Sequence, residues 1–432
     1  MNVVPPRREA PRSYQESLAW LYSLQRFGIK LGLENIQRLI RELDINLGSA
    51  RASRAVSGAS PETSGKPRII HVAGTNGKGS VCAMIDSICR AQKYRTGLFI
   101  SPHLVTFRER IRINGEMISE TEVATGLINI RKLVADWDPH PTFFEIATAL
   151  ALKHFADATI DIVILETGLG GRLDATAAVQ SNVAVITSIA LDHQEWLGDS
   201  LEKIAGEKAG IIKPRTPVVS APQLSEAEKV IRARATECEG PLQFVAEVYG
   251  KSPIALRGEH QKLNAATAIA AIRAAKIEMD EAAVARGLAN VEWPARFQCW
   301  DKRTIIDGAH NPSAAKILVD TWREIFGDER ATLILAILSD KDLRKICETL
   351  APIVDFVLLP RIRTERAVDP AELQKIFGDL GLSSETFATF GEALAEGRER
   401  AAPILITGSL HFAGEALAHL QGKPAAFEEC AQ

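Results

Sequence analysis

The sequence has little that would anchor it in a membrane, cross-link it or draw it to a polyelectrolyte. No apolar run approaches the ~18 residues that a membrane-spanning helix needs. Residues 1–14, MNVVPPRREAPRSY, put prolines and charges where a secretory signal carries an apolar stretch. The six cysteines (82, 89, 238, 299, 347 and 430) include no C-x-x-C pair. Cys82 and Cys89 fall on one expected helix and read as small buried hydrophobes, a usage that fits a reducing compartment. Charge of one sign is scarce as well: 51 Lys and Arg against 54 Asp and Glu leave a net charge of -3. That balance argues against a nucleic-acid or membrane surface held by bulk charge and favours small-molecule partners. These absences give the expectation of a soluble, cytoplasmic protein.

What is present begins with bulk. At 432 residues and 46% hydrophobic the chain has core enough for two or three domains. Its most informative stretch is Ile69-Ile70-His71-Val72-Ala73-Gly74-Thr75-Asn76-Gly77-Lys78-Gly79-Ser80, an apolar strand, a glycine turn carrying one lysine, and a helical pattern opening at Ser80. A strand that ends in a glycine loop and feeds a helix offers backbone N–H groups and the positive end of the helix to phosphates, and Lys78 reaches their oxygens. The segment reads as an ATP site. It departs from G-x-x-x-x-G-K-[ST], because two residues separate Gly74 from Gly77 and Gly79 lies between Lys78 and Ser80.

Residues 1–12 read as a loose tail, and the spacing of apolar residues from Ser13 to Leu47 predicts two helices broken at Gly28–Gly32. Gly48–Lys66 turns to Ser, Ala, Gly and Arg and reads as a flexible insertion. Beyond the phosphate loop come apolar strands at Thr96–Ile100, Ile160–Leu165, Val183–Ile186 and Pro217–Ser220, alternating with helices. Asn114-Gly115 marks a hairpin, and Ser119 with Glu122 a capping box. Unbroken apolar strands separated by helices predict a mostly parallel sheet of P-loop type covered on both faces. After Trp293-Pro294 the pattern restarts, so the chain divides at 1–293 and 294–432, the second part being a smaller Rossmann-like α/β unit with a cleft at the junction.

In such a sheet ligands bind beyond the C-terminal strand ends. Ser101, Glu166 and Asp192-His193 each follow an apolar strand and should converge on the side where Lys78 sits. Glu166, a carboxylate directly after the four apolar residues Ile162 to Leu165, is hard to explain as a solvated group. His193 fits a satisfied histidine near a turn as well as it fits a ligand. Glu145 has two readings: Thr142-Phe143-Phe144-Glu145 spells a capping box, in which the glutamate holds a helix amide, or it faces a substrate. Spacing makes Lys208 one more solvated helix lysine. Arg296 and the run Asp307-Gly308-Ala309-His310-Asn311-Pro312 sit at the presumed junction, where an arginine brings trans-lobe charge to a phosphoryl group or makes an inter-lobe salt bridge.

Taken together, Gly28 to Ile36, His71 to Ser80, Ser101-Pro102-His103-Leu104 with Phe107 to Ile111, Glu166 to Thr176, Leu191-Asp192-His193 with Glu207 to Ile211, and Asp307 to Pro312 resemble, in this order and over nearly the whole chain, the dihydrofolate synthase / folylpolyglutamate synthase family of the Mur ligase superfamily. The resemblance implies an ATP-dependent ligase that adds L-glutamate to dihydropteroate and then to folates through an acyl phosphate. It implies phosphate contacts from Asn76, Gly77, Lys78, Gly79 and Ser80, and ATP contacts across the cleft from Asn264, Arg296, Asp307 and His310. Two Mg²⁺ sites would draw on Ser101, Glu166 and His193. The pterin end would lie against Thr142, Phe143, Phe144, Glu145, Leu173, Asp174 and Ala175. Lys208 would be N-carboxylated, with K⁺ as a further ion whose ligands are not assigned, and Lys78, Lys208, His193 and Arg296 would carry the catalysis. A monomer without nucleic-acid or membrane partners is implied. Ala177 departs from the asparagine usual there. Two rivals remain: a Mur-type peptidoglycan ligase, for which residues 1–68 are too few and too helical to form a UDP-binding domain, and a P-loop regulatory ATPase.

Overall fold

The computed structural model describes residues 13–28, 32–47 and 66–428. The expected tail at 1–12, and the expected insertion at 48–66 apart from Lys66, lie outside the described residues.

The first unit opens with α1 (Tyr14–Ser23) and α2 (Glu34–Glu42), joined through a 3₁₀ turn at Leu24–Phe27. Then follow β1 (Arg68–Ala73), α3 (Lys78–Ala91), β2 (Thr96–Phe99), β3 (Ile111–Ile113), β4 (Glu116–Met117), α4 (Glu120–Leu133), α5 (Phe143–Asp157), β5 (Ile162–Glu166), β6 (Val183–Ile186), α6 (Gln194–Leu197), α7 (Leu201–Ala209), β7 (Val218–Ser220), α8 (Ser225–Glu237), β8 (Leu242–Phe244), α9 (Glu259–Ala274) and α10 (Glu281–Ala289). Its eight strands lie in the order β4-β3-β2-β5-β1-β6-β7-β8, parallel except for the β3–β4 hairpin at one edge. Asn114 and Gly115 turn that hairpin with φ of 53° and 84°, as a two-residue turn with both central residues left-handed requires.

The second unit runs β9 (Gln298–Cys299), β10 (Thr304–Ile306), α11 (Pro312–Phe326), β11 (Ala331–Leu335), α12 (Leu343–Leu350), β12 (Val354–Pro360), α13 (Pro370–Asp379), β13 (Ser384–Phe387), α14 (Phe390–Glu399), β14 (Ile404–Thr407) and α15 (Leu410–Leu420). Its sheet order is β13-β12-β11-β14-β10-β9, with only the edge strand β9 antiparallel. Both units are therefore α/β with mostly parallel sheets, and each sheet is apolar on both faces. In the first, α3, α9 and α10 cover one face. Helices α1, α2, α4 and α5 cover the β2–β5 part of the other, and α7 and α8 cover its β6–β7 part.

Several boundaries differ from expectation. The helix after the phosphate loop begins at Lys78 rather than Ser80, because Gly77 at φ 91° already caps it. Glu166 is the last residue of β5 rather than the first beyond it. Asp192 and His193 do not directly follow a strand. Residues 187–191 intervene and clamp the phosphate loop: Ser188 O accepts from Thr75 N (2.8 Å) and Asn76 N (3.1 Å), and Thr75 Oγ1 is tied to both N and O of Ala190 (3.1 Å each).

Helix α3, which carries the phosphate loop, is held by α10 at backbone contact. A Cβ on Gly287 would stand 2.5 Å from Ile88 Cα, and Ser87 Oγ donates to Gly287 O at 2.7 Å. Alanine favours a helix over glycine by at most about 1 kcal/mol, whereas overpacking a buried contact costs about 1–3 kcal/mol. Gly287→Ala is accordingly expected to lower the urea midpoint, and a midpoint at or above the parent value would mean that the helices have room to part.

Candidate active site

The β1 strand ends at the centre of its sheet with β5 on one side and β6 on the other, so its loop opens where ligands bind in doubly wound sheets. Gly74 takes φ 151°, and a Cβ there would overlap Thr187 Oγ1, so only glycine fits. Its carbonyl oxygen accepts from two lysines: Lys78 Nζ at 3.1 Å and Lys208 Nζ at 2.8 Å. Lys208 is only 5% exposed, which overturns the solvated-helix reading. Burial, with Lys78 beside it, draws its pKa down to about 7.

Beside this loop, Glu166 is buried at the end of β5 and accepts from Ser101 N at 3.2 Å. Burial raises its pKa, against the opposing pull of Lys78 and Arg296. Ser101 Oγ is buried with no hydrogen-bond partner. An unpartnered hydroxyl beside a buried carboxylate is a donor set suited to a hard divalent cation, which completes its sphere with water and phosphate oxygens. No group of three or more His, Cys, Asp or Glu side chains that could hold a metal exists among the described residues, so the protein offers only part of a coordination sphere. His193 sits at φ 51° with its side chain 40% exposed, and burial of part of the ring takes its pKa to about 4.

Facing these groups from the second unit, Arg296 donates to Ala295 O at 2.9 Å and feels the carboxylates of Asp307 and Glu166. Asp307 is fixed by Phe297 N (2.7 Å) and Ala309 N (2.8 Å). His310 Nδ1 lies 2.8 Å from Gly308 O, and its Nε2 is 3.6 Å from Asp192 Oδ2. Asn264 bonds Gln261 at 3.0 Å and leaves no space for a Cβ on Gly77.

The capping reading of Glu145 holds, and the same residue also stands on the cavity wall. It closes the capping box, accepting from Thr142 N (2.8 Å) and Oγ1 (2.9 Å), and it lines the cavity. Asp174 accepts from Gly168 N (2.9 Å), Leu169 N (3.0 Å) and Thr176 N (3.0 Å), which shapes the loop bearing Leu173 and Ala175. Thr176 gives its hydroxyl proton to Asp174, so His71 must donate to Thr176 Oγ1, at 2.8 Å. Burial keeps His71 neutral, its pKa near 3. Ala177 is 3% exposed and packs without a polar contact from its side chain.

One cavity of about 700 Å³ is lined by every candidate residue of the sequence reading, from the phosphate loop to His310. At and beside it stand groups to which the sequence assigned no role of their own. Lys341, its side chain 6% exposed, reaches from the second unit to Asp192 Oδ1 (2.8 Å) and Asp340 (3.2 Å). Asn311 caps α11 and donates to Asn76 Oδ1 (3.1 Å) and Asp192 Oδ2 (3.0 Å). Burial alone would raise Asp192, but His310, His193 and Lys341 hold its carboxyl well below the usual range. His260, drawn down to about 4 by burial and Arg296, and the half-exposed Trp196 complete the lining. Only Asn311 had a local signal, its place ahead of a proline at a helix start.

Residues 72–219 match the Mur ligase middle domain, and residues 295–410 match the Mur ligase glutamate ligase domain. The dihydrofolate synthase/folylpolyglutamate synthase of Bacillus subtilis (strain 168) is 34% identical over 93% of this chain and 97% of its own. A structure of Escherichia coli FolC in complex with DHPP and ADP superposes with TM-score 0.82 at 31% identity, covering 97% of this chain and 99% of that one. The bifunctional folylpolyglutamate synthase/dihydrofolate synthase from Yersinia pestis, complexed with AMPPNP and Mn ion, gives TM-score 0.83 at 30% identity over 97% and 100% of the two chains. The chain belongs to the dihydrofolate synthase/folylpolyglutamate synthase family of Mur ligases.

Proposed function

We propose that this protein joins the amine of L-glutamate to the carboxylate of dihydropteroate, and further glutamates to reduced folates, at the expense of ATP. The observation that carries the reading is the meeting, in one cavity, of a phosphate loop bearing Lys78 with Arg296 and Asp307 from the opposite unit. Relatives that carry both synthase activities in their names, and a structural relative holding AMPPNP and manganese, support the substrates and a divalent ion. Mg²⁺ is the proposed ion, and K⁺ a further one. The protein is proposed to act as a cytoplasmic monomer; no helix among the described residues is long and apolar enough to cross a membrane.

The chemistry runs in two displacements. A substrate carboxylate oxygen attacks the γ-phosphorus of ATP, the bond to the β,γ-bridging oxygen breaks, and ADP leaves. The glutamate amine then attacks the acyl carbon, gives up a proton, and phosphate departs from the tetrahedral intermediate. Residues Asn76 to Ser80 hold the phosphates, and Lys78 with Arg296 stabilises the charge that spreads over the transferring group. Asn264, Asp307 and His310 orient the nucleotide. Ser101, Glu166 and His193 are the proposed holders of the divalent ion, which when bound neutralises phosphate charge. Thr142 to Glu145 and Leu173 to Ala175 form the pterin wall. No side-chain nucleophile is required.

Lys208 is proposed to react as its N-carboxylate. A pKa of about 7 leaves much of the amine neutral at neutral pH, and the neutral amine is the form that takes up CO₂. The amine nitrogen bonds the CO₂ carbon and gives up one proton to solvent, and the product is an anion beside Lys78, where an ammonium is repelled.

Four measurements test this reading. ADP release should require ATP, dihydropteroate and glutamate together; release with ATP alone at the full rate would identify a regulatory ATPase. Lys78→Ala should abolish ligation while the melting curve stays near the parent's, and near-normal turnover removes the phosphate-loop assignment. Lys208→Ala should be nearly inactive and partly restored by acetate, which places an anion in the vacated space; restoration by amines instead would mean that the lysine works as an ammonium. The same residue gives a pH signature in CO₂-free buffer. Between about 7, its folded pKa, and 10.5, its ordinary value, the unfolded chain binds a proton that the folded chain lacks, so stability should rise with pH across that window. Lys208→Met should lose that rise, and an unchanged slope would show that Lys208 does not titrate low.

A further inference from the structure

The loop Ser101–Arg110, which brings Ser101 to the cavity, is held from the far end of the chain. Beyond α15 a 3₁₀ turn at Pro424–Ala426 sends the chain back to the first unit. There Glu428 Oε2 accepts from Phe107 N (2.5 Å), Thr106 Oγ1 (3.1 Å) and Tyr14 OH of α1 (3.3 Å). Glu428 N donates to Val105 O at 2.8 Å. Glu428 O takes a bond from His103 Nε2 at 3.2 Å, because His103 Nδ1 already accepts from Arg110 Nε at 2.8 Å and the ring proton must sit on Nε2. Phe427 stands edge-on to His411 of α15, ring centroids 5.0 Å apart. Alongside, α15 touches the loop at backbone level, where a Cβ on Gly414 would overlap Leu104 O.

We propose that Glu428 is a positioning residue for the cleft: through His103 and the backbone of 104–107 it fixes the loop that aims Ser101 Oγ beside Glu166. A single carboxylate oxygen taking three donors from two elements of the other unit does more than tie down a chain end. It sets where the loop stands. Within the loop, Glu109 accepts from Leu104, Val105 and Thr106 N at 2.9, 3.0 and 3.1 Å, so the turn moves as one piece. A shift at Thr106 and Phe107 is therefore passed to Ser101. The proposal rests on the reading of Ser101 as a metal ligand.

The test is Mn²⁺ affinity measured by EPR on the full-length protein with AMPPNP bound, a readout that needs no turnover. Ser101→Ala examines the ligand reading by itself. Glu428→Ala should weaken Mn²⁺ binding roughly tenfold, the scale seen when an outer partner of a ligand is removed. Glu428→Gln, whose amide oxygen can still accept from Phe107 N and Thr106 Oγ1, should recover most of it. If Glu428→Ala does not fold, Thr106→Val removes one donor at nearly constant volume and should weaken binding by a smaller factor. Weakened affinity in Ser101→Ala with parent affinity in Glu428→Ala, or in Thr106→Val where that variant stands in, overturns the positioning role alone, whatever the melting temperature does. Parent affinity in Ser101→Ala removes the ligand reading and the proposal together.

Discussion

Two lysines donate to one carbonyl oxygen, and much of the first unit is arranged around that crowding. Gly74 O can point at both Lys78 and Lys208 only because its residue lacks a Cβ and takes a φ open to glycine. The carbonyl is held in turn by Thr75 and Asn76, whose amides are fixed to Ser188. Positive groups pressed together under burial are costly until an anion arrives. The loop is thus preorganised for phosphate before phosphate is present, and preorganisation of this kind is where electrostatic catalysis finds most of its effect. Burial first, and then the same crowding, depresses Lys208, so anion binding and the chemistry proposed for that amine share part of their cause.

The second constraint is the junction between the units. Asp192 collects Lys341, Asn311 and His310 from the second unit, and both Asp192 and Lys341 are nearly inaccessible to solvent. A buried pair of this kind contributes little net stability against an apolar replacement, but losing one partner leaves a charge with nothing to meet it. It therefore specifies an arrangement more than it strengthens one. Asn311 is the most economical part, since its side-chain oxygen caps α11 while its amide reaches Asn76 on the phosphate loop. Movement of α11 is in this way coupled to the residues that hold phosphate.

Much of this was legible in the sequence, and the remainder was hidden for definable reasons. The central strands announce themselves as unbroken apolar runs because both of their faces are buried, and the glycine loop does so because its backbone geometry tolerates no side chain. Edge elements carry weaker signals. β13, SETF, and β8, LQF, are half exposed, and α8 buries only Ala227, Ile231 and Ala235 along an otherwise polar helix, so none has a pattern that separates it from loop. Lys208 and Lys341 defeat local reading altogether. Each stands among other charges in the sequence, as a solvated lysine would, and what distinguishes them is burial created by residues more than a hundred positions away. Glu145 shows the limit of choosing between readings, since a residue can cap a helix and line a cavity with the same carboxylate.

Why the chemistry should take place between two units, and not on a P-loop alone, follows from the intermediate. An acyl phosphate is activated toward any nucleophile, and water is the most abundant. A cavity of about 700 Å³ lies within the range of sites that enclose a ligand, and this one runs from the phosphate loop past Phe143 and Phe144 on one unit to Arg296 and His310 on the other. Nucleotide and acceptor can therefore lie side by side in one space between the two units. A regulatory ATPase has no use for such room, because its output is a change in its own loops. Here the phosphate loop is tied to Ser188 and Ala190 and runs straight into α3. The groups that face the loop across the cavity are placed to receive a second substrate, and that is the arrangement a ligase needs.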